Sequence, residues 1–184
     1  DQLRALGMPI FHSEPRKLSD IPNSVRRLGK LMGTEAAAEE QARELEGRLA
    51  TLSKRYAGRA AVRTFYQVWD KPLYTLNGAH IVSDAIRLCG GENIFASMKI
   101  TAPVVDIESV VQRDPEVIFS TAARSDDEGG IGIWRPFATV SAVRNANLFR
   151  IDGNLMNRAG PRMIEGAATL CAHLDTARQR RSKP

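Results

Sequence analysis

Two aromatic residues, Trp69 and Tyr74, have the side-chain chemistry of a binding site for a large flat ligand. Each ring combines a flat apolar surface with a polar group at its tip. Both lie in the loop that follows a predicted buried strand and that also contains Lys71 and Pro72. Ligands of α/β proteins collect outside the carboxyl ends of the strands, where this loop falls. The pair therefore either contacts a ligand or packs the loop onto the core.

Arg158 is a second candidate binding residue, because it lies in the loop 154–161 that follows the last predicted strand. In a parallel sheet this loop and the aromatic one lie at the same edge. A guanidinium group there can bind a carboxylate, an amide or a phosphate of a ligand. The alternative is a surface arginine that caps Asn157 or pairs with Glu165.

Glu108 occupies the first turn of a predicted helix, Ile107 to Arg113, whose N-cap is Asp106. A carboxylate at this end interacts favourably with the helix macrodipole, by about 0.3–1 kcal/mol. From the residues alone, this stabilising role is the default interpretation.

The motifs of common enzymes are missing from the chain. It has no Walker-type phosphate loop and no nucleophile elbow. The glycine-rich stretch 129–132 lacks the third glycine of the dinucleotide-binding fingerprint and follows no strand, so we expect a plain loop. His12, His80 and His173 are far apart, and His80 with Asp152 gives too few ligands for a metal site. We predict a protein without catalytic or metal-binding residues, with a metal-dependent α/β enzyme as the remaining alternative.

The composition is that of a globular protein with one domain, or at most two. The chain has 184 residues, 43% of them hydrophobic and 26% charged, with a net charge of +5. No apolar run approaches the ~18–20 residues of a membrane span, so we predict a chain that does not cross a membrane. The first residues lack the pattern of a signal peptide, and we expect a mature or truncated chain.

Four basic residues, Arg178, Arg180, Arg181 and Lys183, lie within the last seven positions. A nucleic-acid site would interleave aromatic residues with basic ones on a folded face, and none are present here. We therefore predict a solvated, frayed basic tail and no nucleic-acid partner.

The clearest helix is predicted for residues 35–57, with Thr34 as N-cap and Gly58 after its end. Its apolar residues recur at spacings of four and three and form one stripe: Ala38, Ala42, Leu45, Leu49, Leu52 and Tyr56. At ~1.5 Å per residue it spans about 35 Å. A coiled-coil arm is one interpretation, and a rigid strut between two lobes fits the short stripe better.

The remaining elements alternate between strands and helices, which predicts an α/β fold with a mainly parallel sheet. Strands are predicted at 9–12, 61–68, 116–120 and 148–151, and helices at 18–32, 81–88, 107–113 and 162–176. A polar loop at 125–132 precedes a short helical hairpin within 134–143.

Four segments in this order carry a family resemblance: Tyr74–Gly78, Leu88–Phe95, Asp106–Val110 and Asp114–Phe119. They resemble the C-terminal lobe of the substrate-binding proteins that serve ABC importers of cobalamin, haem and iron-siderophores. The resemblance implies two α/β lobes joined by one long backbone helix, with the N-terminal lobe largely absent here. It implies four parts: an N-lobe remnant at 1–33, the inter-lobe helix at 34–58, the C-lobe at 59–177 and a basic tail at 178–184.

The sequence of residues 67–91 is most similar to the cobalamin-binding members of this family. This resemblance implies a corrinoid ligand between the lobes and no intrinsic cofactor. By this resemblance the ligand-binding residues are Trp69, Tyr74, Ala102, Asn154 and Arg158. Ala102 stands where the cobalamin-binding members have tryptophan, and Asn154 where they have aspartate. Haem or a ferric siderophore is the alternative ligand, with Tyr74 as the one obvious haem ligand of this lobe.

The resemblance also implies a partner and a compartment. Glu108 matches a glutamate that forms salt bridges with arginines of the membrane permease, which implies docking to an ABC importer in the inner membrane. Cys89 and Cys171 are, from their local settings, two buried free thiols, whereas the resemblance favours a disulfide between them. A bridge and a binding-protein role together imply the periplasm.

Overall fold

A computed structural model describes residues 2–121 and 130–181. Its centre is a four-stranded parallel sheet in the order β4-β1-β5-β6. The strands, with a separate two-stranded hairpin, are β1 Val62–Gln67, β2 Trp69–Asp70, β3 Leu73–Tyr74, β4 Gly91–Asn93, β5 Val117–Ser120 and β6 Leu148–Arg150. The predicted α/β fold with a parallel sheet is confirmed.

Helices cover both faces of this sheet. In the described part they are α1 Gln2–Ala5, α2 Asp20–Met32, α3 Glu35–Tyr56, α4 Ile81–Leu88, α5 Ile107–Arg113, α6 Ser141–Arg144, α7 Gly153–Met156 and α8 Met163–Arg181, with a 3₁₀ helix at Gly130–Trp134. None of these described helices is long and apolar enough to span a membrane.

Two apolar clusters make the fold a three-layer arrangement. One lies between the sheet and helices α3, α4 and α8, and includes Tyr66, Ile86, Phe119 and Leu170. The other lies on the opposite face, where Trp134 packs edge-on to Phe65. Strands buried on both faces explain why β5 is apolar without alternation.

Helix α3 begins and ends within one residue of its predicted bounds. Ala38, Ala42, Leu45 and Tyr56 of the predicted stripe are buried, and the other two members are half-buried. Thr34 occupies the N-cap position, but its side chain makes no capping hydrogen bond. Periodicity thus predicted the buried face of the helix correctly, while the cap chemistry was wrong.

Arginine 26 ties α2 to the first half of α3. Its guanidinium bonds Glu39 at 2.7 Å and Glu46 at 2.6 Å, two carboxylates two turns apart on α3. These hydrogen bonds lower the pKa of both carboxyls, so both are ionised at neutral pH. Helix α2 is therefore fastened along the long helix by charge as well as by packing.

A disulfide joins Cys89, at the end of α4, to Cys171 in the middle of α8, with their Cα atoms 4.8 Å apart. Both residues are fully buried in the first cluster. The interpretation as two free thiols is wrong, and the pairing that the resemblance implies is confirmed.

Several predicted boundaries differ from the structure. Residues 9–12 form no strand, because no neighbouring strand offers them a partner. The short strand β4 was missed; its parallel pairing with β1 makes it a strand. The loop 154–161 contains most of α7, and residues 130–132 belong to a 3₁₀ helix. Residues 125–129 of the predicted polar loop lie outside the described residues.

The predicted basic tail is instead the end of α8. Arg178 donates to the carbonyl of Cys89 at 2.6 Å and pairs with Asp175 at 2.6 Å. Arg181 forms an ion pair with Glu116 at the start of β5. These arginines bind backbone and carboxylate oxygens at the amino edge of the sheet, so the frayed-tail prediction is wrong for them. Lys183 lies outside the described residues.

Candidate functional site

The chain leaves β1 at the carboxyl edge of the sheet and enters a small antiparallel ribbon. The ribbon consists of β2, β3 and residues 101–105, and we call it the edge ribbon. On its second side, the Val105 N–H donates to the Leu73 carbonyl at 3.0 Å. The Thr75 N–H donates to the Pro103 carbonyl at 3.1 Å. Residues far apart in the sequence therefore meet at one sheet edge.

The register of the edge ribbon places three apolar side chains on one of its faces. Trp69 lies opposite Tyr74, and Tyr74 lies opposite Val104. Directly opposed residues of antiparallel strands share a face. Trp69 is 58% exposed, and its indole N–H donates to the Lys71 carbonyl at 3.1 Å. Trp69 is thus oriented without being packed into the core, while Tyr74 is half-buried.

Val104 of this face and the nearby Ile100 are exposed apolar residues. Ile100 is 67% exposed and Val104 is 53% exposed, and Ala102 between them is also exposed. Trp69, Ile100 and Val104 are the large hydrophobic residues that the described part of the chain after α3 leaves in solvent. The sequence interpretation missed Ile100 and Val104. The signal that could have found them is the alternation of Ile100, Ala102 and Val104, which has the period of a strand with one apolar face.

Asn154 and Arg158 follow β6, so they lie at the same edge but beyond β5. Asn154 is exposed in the first turn of α7, and its N–H donates to the carboxylate of Asp152 at 2.8 Å. Arg158 is exposed, and its side chain pairs neither with Asn157 nor with Glu165. The two surface roles considered for Arg158 are therefore not seen among the described residues.

A pocket of about 300 Å³ opens between the loops of this edge and the segment that precedes α2. Its lining residues come from four separate parts of the chain: Glu14, Pro15, Arg16, Ala79, His80, Ile81, Thr101, Met156, Asn157 and Ala159. None of the five predicted ligand residues lines it, although Thr101, Asn157 and Ala159 are sequence neighbours of Ala102 and Arg158. The predicted residues and the pocket are thus adjacent parts of one edge.

Leu18 holds in place the pocket wall that residues 14–16 form. Leu18 is 1% exposed in the first apolar cluster. Its N–H donates to the carboxylate of Asp84 on α4 at 2.9 Å. The segment that precedes α2 is therefore fixed to the same helix whose first turn forms another wall of the pocket.

His80 is a pocket residue whose role the sequence interpretation did not find. Its Nδ1 accepts a hydrogen bond from the Val82 N–H at 3.2 Å and so caps α4. Burial lowers the pKa of the His80 imidazole. Asp152 likewise caps α7, so the two residues considered as a metal pair are both engaged in helix caps. Within residues 2–121 and 130–181, no group of three or more His, Cys, Asp or Glu residues could hold a metal ion.

Glu108 lies exposed in the first turn of α5 and does not line the pocket. The predicted cap of this helix is confirmed, since Asp106 accepts from the Ser109 N–H at 2.5 Å. Hydrogen bonds from the Ser109 side chain and backbone hold the pKa of Asp106 below its usual value. Glu108 itself has no ion-pair partner among the described residues, so its carboxylate is available to another molecule.

Comparison with known proteins identifies relatives over nearly the whole chain. It is 30% identical over 181 residues to the vitamin B12-binding protein of Vibrio parahaemolyticus, covering 98% of this chain and 65% of the relative. It is 33% identical over 174 residues to the vitamin B12-binding protein of Yersinia pestis, covering 95% of this chain and 60% of the relative. The chain thus spans less than two thirds of the length of these relatives.

Solved structures agree with these matches. The periplasmic vitamin B12 binding protein BtuF of Vibrio cholerae superposes with a TM-score of 0.89 at 32% identity, covering 97% of this chain and 69% of that structure. A periplasmic haem-binding protein from Roseiflexus superposes with a TM-score of 0.80 at 20% identity, which shows a shared fold alone. The family model described as periplasmic binding protein matches residues 1–155. The chain belongs to this family of periplasmic binding proteins.

Proposed function

We propose that this protein is a substrate-binding protein of an ABC importer that captures cobalamin between two lobes and delivers it to the permease. The observation that carries the proposal is the exposed apolar face of the edge ribbon, in a chain 30–33% identical to vitamin B12-binding proteins. A flat apolar surface beside a polar pocket suits a macrocycle with polar substituents. The protein performs no chemical step in this proposal.

We propose Trp69, Tyr74, Ala102, Asn154 and Arg158 as ligand-binding residues. Trp69 and Tyr74 lie on one face of the edge ribbon and would pack against the macrocycle. Arg158 is exposed and free of carboxylate partners in the described part, so its guanidinium can bind a polar substituent. Ala102 contributes only a methyl group to this face. We therefore propose that the nearby Val104, which lies opposite Tyr74, also makes an apolar contact with the ligand.

We propose the lobe assignment that the family resemblance implies. Residues 1–33 would belong to the N-terminal lobe, residues 34–58 to the inter-lobe helix and residues 59–177 to the C-terminal lobe. Periplasmic localisation agrees with the buried disulfide, since such bonds persist in oxidising compartments.

Titration of the purified protein with cyanocobalamin, followed by calorimetry, tests the proposed function. We expect saturable binding of cobalamin or its corrinoid precursors, with no comparable heat from haem or a ferric hydroxamate siderophore. Binding of haem with no binding of any corrinoid would replace the proposal with its alternative. Turnover of an added substrate would favour the metal-dependent enzyme.

Removing the exposed ring of Trp69 should weaken ligand binding without destabilising the fold. We expect Trp69→Ala to lower cobalamin affinity about tenfold, because aromatic anchors commonly dominate such contacts. Trp69→Phe keeps a flat ring and should lose less. The melting temperature should stay unchanged, since the indole is 58% exposed. Equal affinities of the alanine variant and the wild type would remove Trp69 from the site.

Charge reversal at Glu108 should separate docking from ligand binding. We expect Glu108→Arg to retain cobalamin affinity and to abolish stimulation of the importer's ATPase, because the arginine would repel permease arginines. Glu92→Arg is the matched control, an equally exposed charge reversal on β4. Stimulation of the ATPase by the Glu108 variant at the wild-type level would remove the docking role.

A further inference from the structure

A histidine caps the helix whose first turn forms a wall of the pocket. The Nδ1 atom of His80 accepts from the Val82 N–H at 3.2 Å, and the side chain is half-buried. Ala79, His80 and Ile81 all line the 300 Å³ pocket. The same imidazole therefore contacts the pocket and holds the backbone of one of its walls.

The cap requires the neutral imidazole. In the neutral ring one nitrogen accepts and the other carries the proton, so an accepting Nδ1 fixes the Nε2–H tautomer. Protonation would turn Nδ1 into a donor directed at another donor, and the hydrogen bond to Val82 would be lost. It would also place a positive charge at the positive end of the α4 dipole.

The charged groups around His80 come from two elements. Glu14 and Arg16 line the same pocket from the segment before α2, with charges of opposite sign. Asp84, one turn further along α4, is engaged by the Leu18 N–H and by Arg87. The walls from residues 101 and 156–159 add uncharged lining residues. Burial dominates this environment and lowers the pKa of His80, which favours the neutral form at neutral pH.

We propose that His80 is a positioning residue of the ligand pocket, which holds the first turn of α4 in its ligand-binding geometry only while the imidazole is neutral. Ligand affinity should then fall on acidification. This inference depends on the proposed function for the identity of the ligand, but the state of the cap can be observed without a ligand.

Cobalamin titrations at about pH 7.5 and about pH 4.5 test the inference, because burial places the pKa of His80 below the ordinary histidine value of ~6.5. We expect wild-type affinity to fall about fivefold at the lower pH, the equivalent of losing one helix cap. His80→Asn keeps a capping side chain that does not titrate, so the affinity of this variant, whatever its value at the higher pH, should no longer depend on pH. His12→Asn, at a histidine that is 76% exposed, should keep the pH dependence.

Proton NMR of the free protein gives the independent readout. The Val82 amide and the His80 ring should titrate together, below the ordinary histidine pKa of ~6.5, because burial disfavours the charged ring. If His80→Asn shows the wild-type pH dependence of binding, or if the Val82 amide does not follow the ring, the inference is wrong. If no corrinoid binds at either pH, the proposed function is wrong, and the Val82 titration alone then decides the role of His80.

Discussion

Replacing both Cys89 and Cys171 with alanine is expected to lower the free energy of unfolding by about 4 kcal/mol. The bridge connects residues 82 apart in the sequence. A cross-link over such a loop removes much of the conformational freedom of the unfolded chain, in the chain-entropy model. Both residues are also fully buried, so the two lost sulfurs leave space in the core between α4 and α8.

Urea unfolding followed by circular dichroism measures this difference. The wild type treated with reductant under unfolding conditions should approach the double variant, whereas reductant should not change the double variant itself. A loss below about 1 kcal/mol would show that the unfolded chain gains little freedom from the missing cross-link. A probe for free thiols on denatured, unreduced wild type should find none.

Adding one methyl group at Gly29 should destabilise the protein by about 1–3 kcal/mol, the usual range for an overpacked contact. Helices α2 and α3 cross at this buried glycine, and a Cβ atom built there would lie 2.2 Å from the Cβ of Ala38. Neither atom is the end of a flexible side chain, so the two helices must separate. The shift would also strain the bonds of Arg26 to Glu39 and Glu46.

Gly47 provides the matched control on α3. It also lies inside a helix, but a Cβ atom there would meet nothing within 4 Å. Gly47→Ala should therefore stabilise the protein by about 0.5–1 kcal/mol, through helix propensity alone. Chemical unfolding of the two variants decides between a contact effect and a propensity effect. Stabilisation by Gly29→Ala as well would show that α2 and α3 can separate without cost.

Local signals were sufficient for the long elements of the fold. Helix α4 and helix α5 have the predicted bounds, because an apolar stripe, a capping residue and a glycine or basic last turn act within a few neighbouring residues. The same signals failed for short strands. Residues 9–12 had an extended pattern but no partner, while β4 is a strand only because it pairs with β1.

The candidate site was predictable only in part. The position of Trp69 and Arg158 at one edge of the sheet was predictable, because loops after parallel strands share an edge, a rule that needs no distances. The roles of Val104 and His80 were missed. Val104 belongs to the apolar face because it pairs with Tyr74. His80 belongs to the pocket because another wall, at Pro15, comes from 65 residues earlier in the chain. The tail arginines were misjudged for the same reason, since Arg178 bonds Cys89 at a separation of 89 residues.

The sequence by itself determined the alternation of strands and helices, the buried stripe of α3, the Asp106 cap of α5, and the family resemblance with its disulfide. Each of these depends on periodicity or on a few adjacent residues. Only the tertiary structure decided the members of the pocket, the apolar face of the edge ribbon and the anchoring of α8. These features bring together segments that are distant in the chain, and such contacts leave no local pattern in the residues that make them.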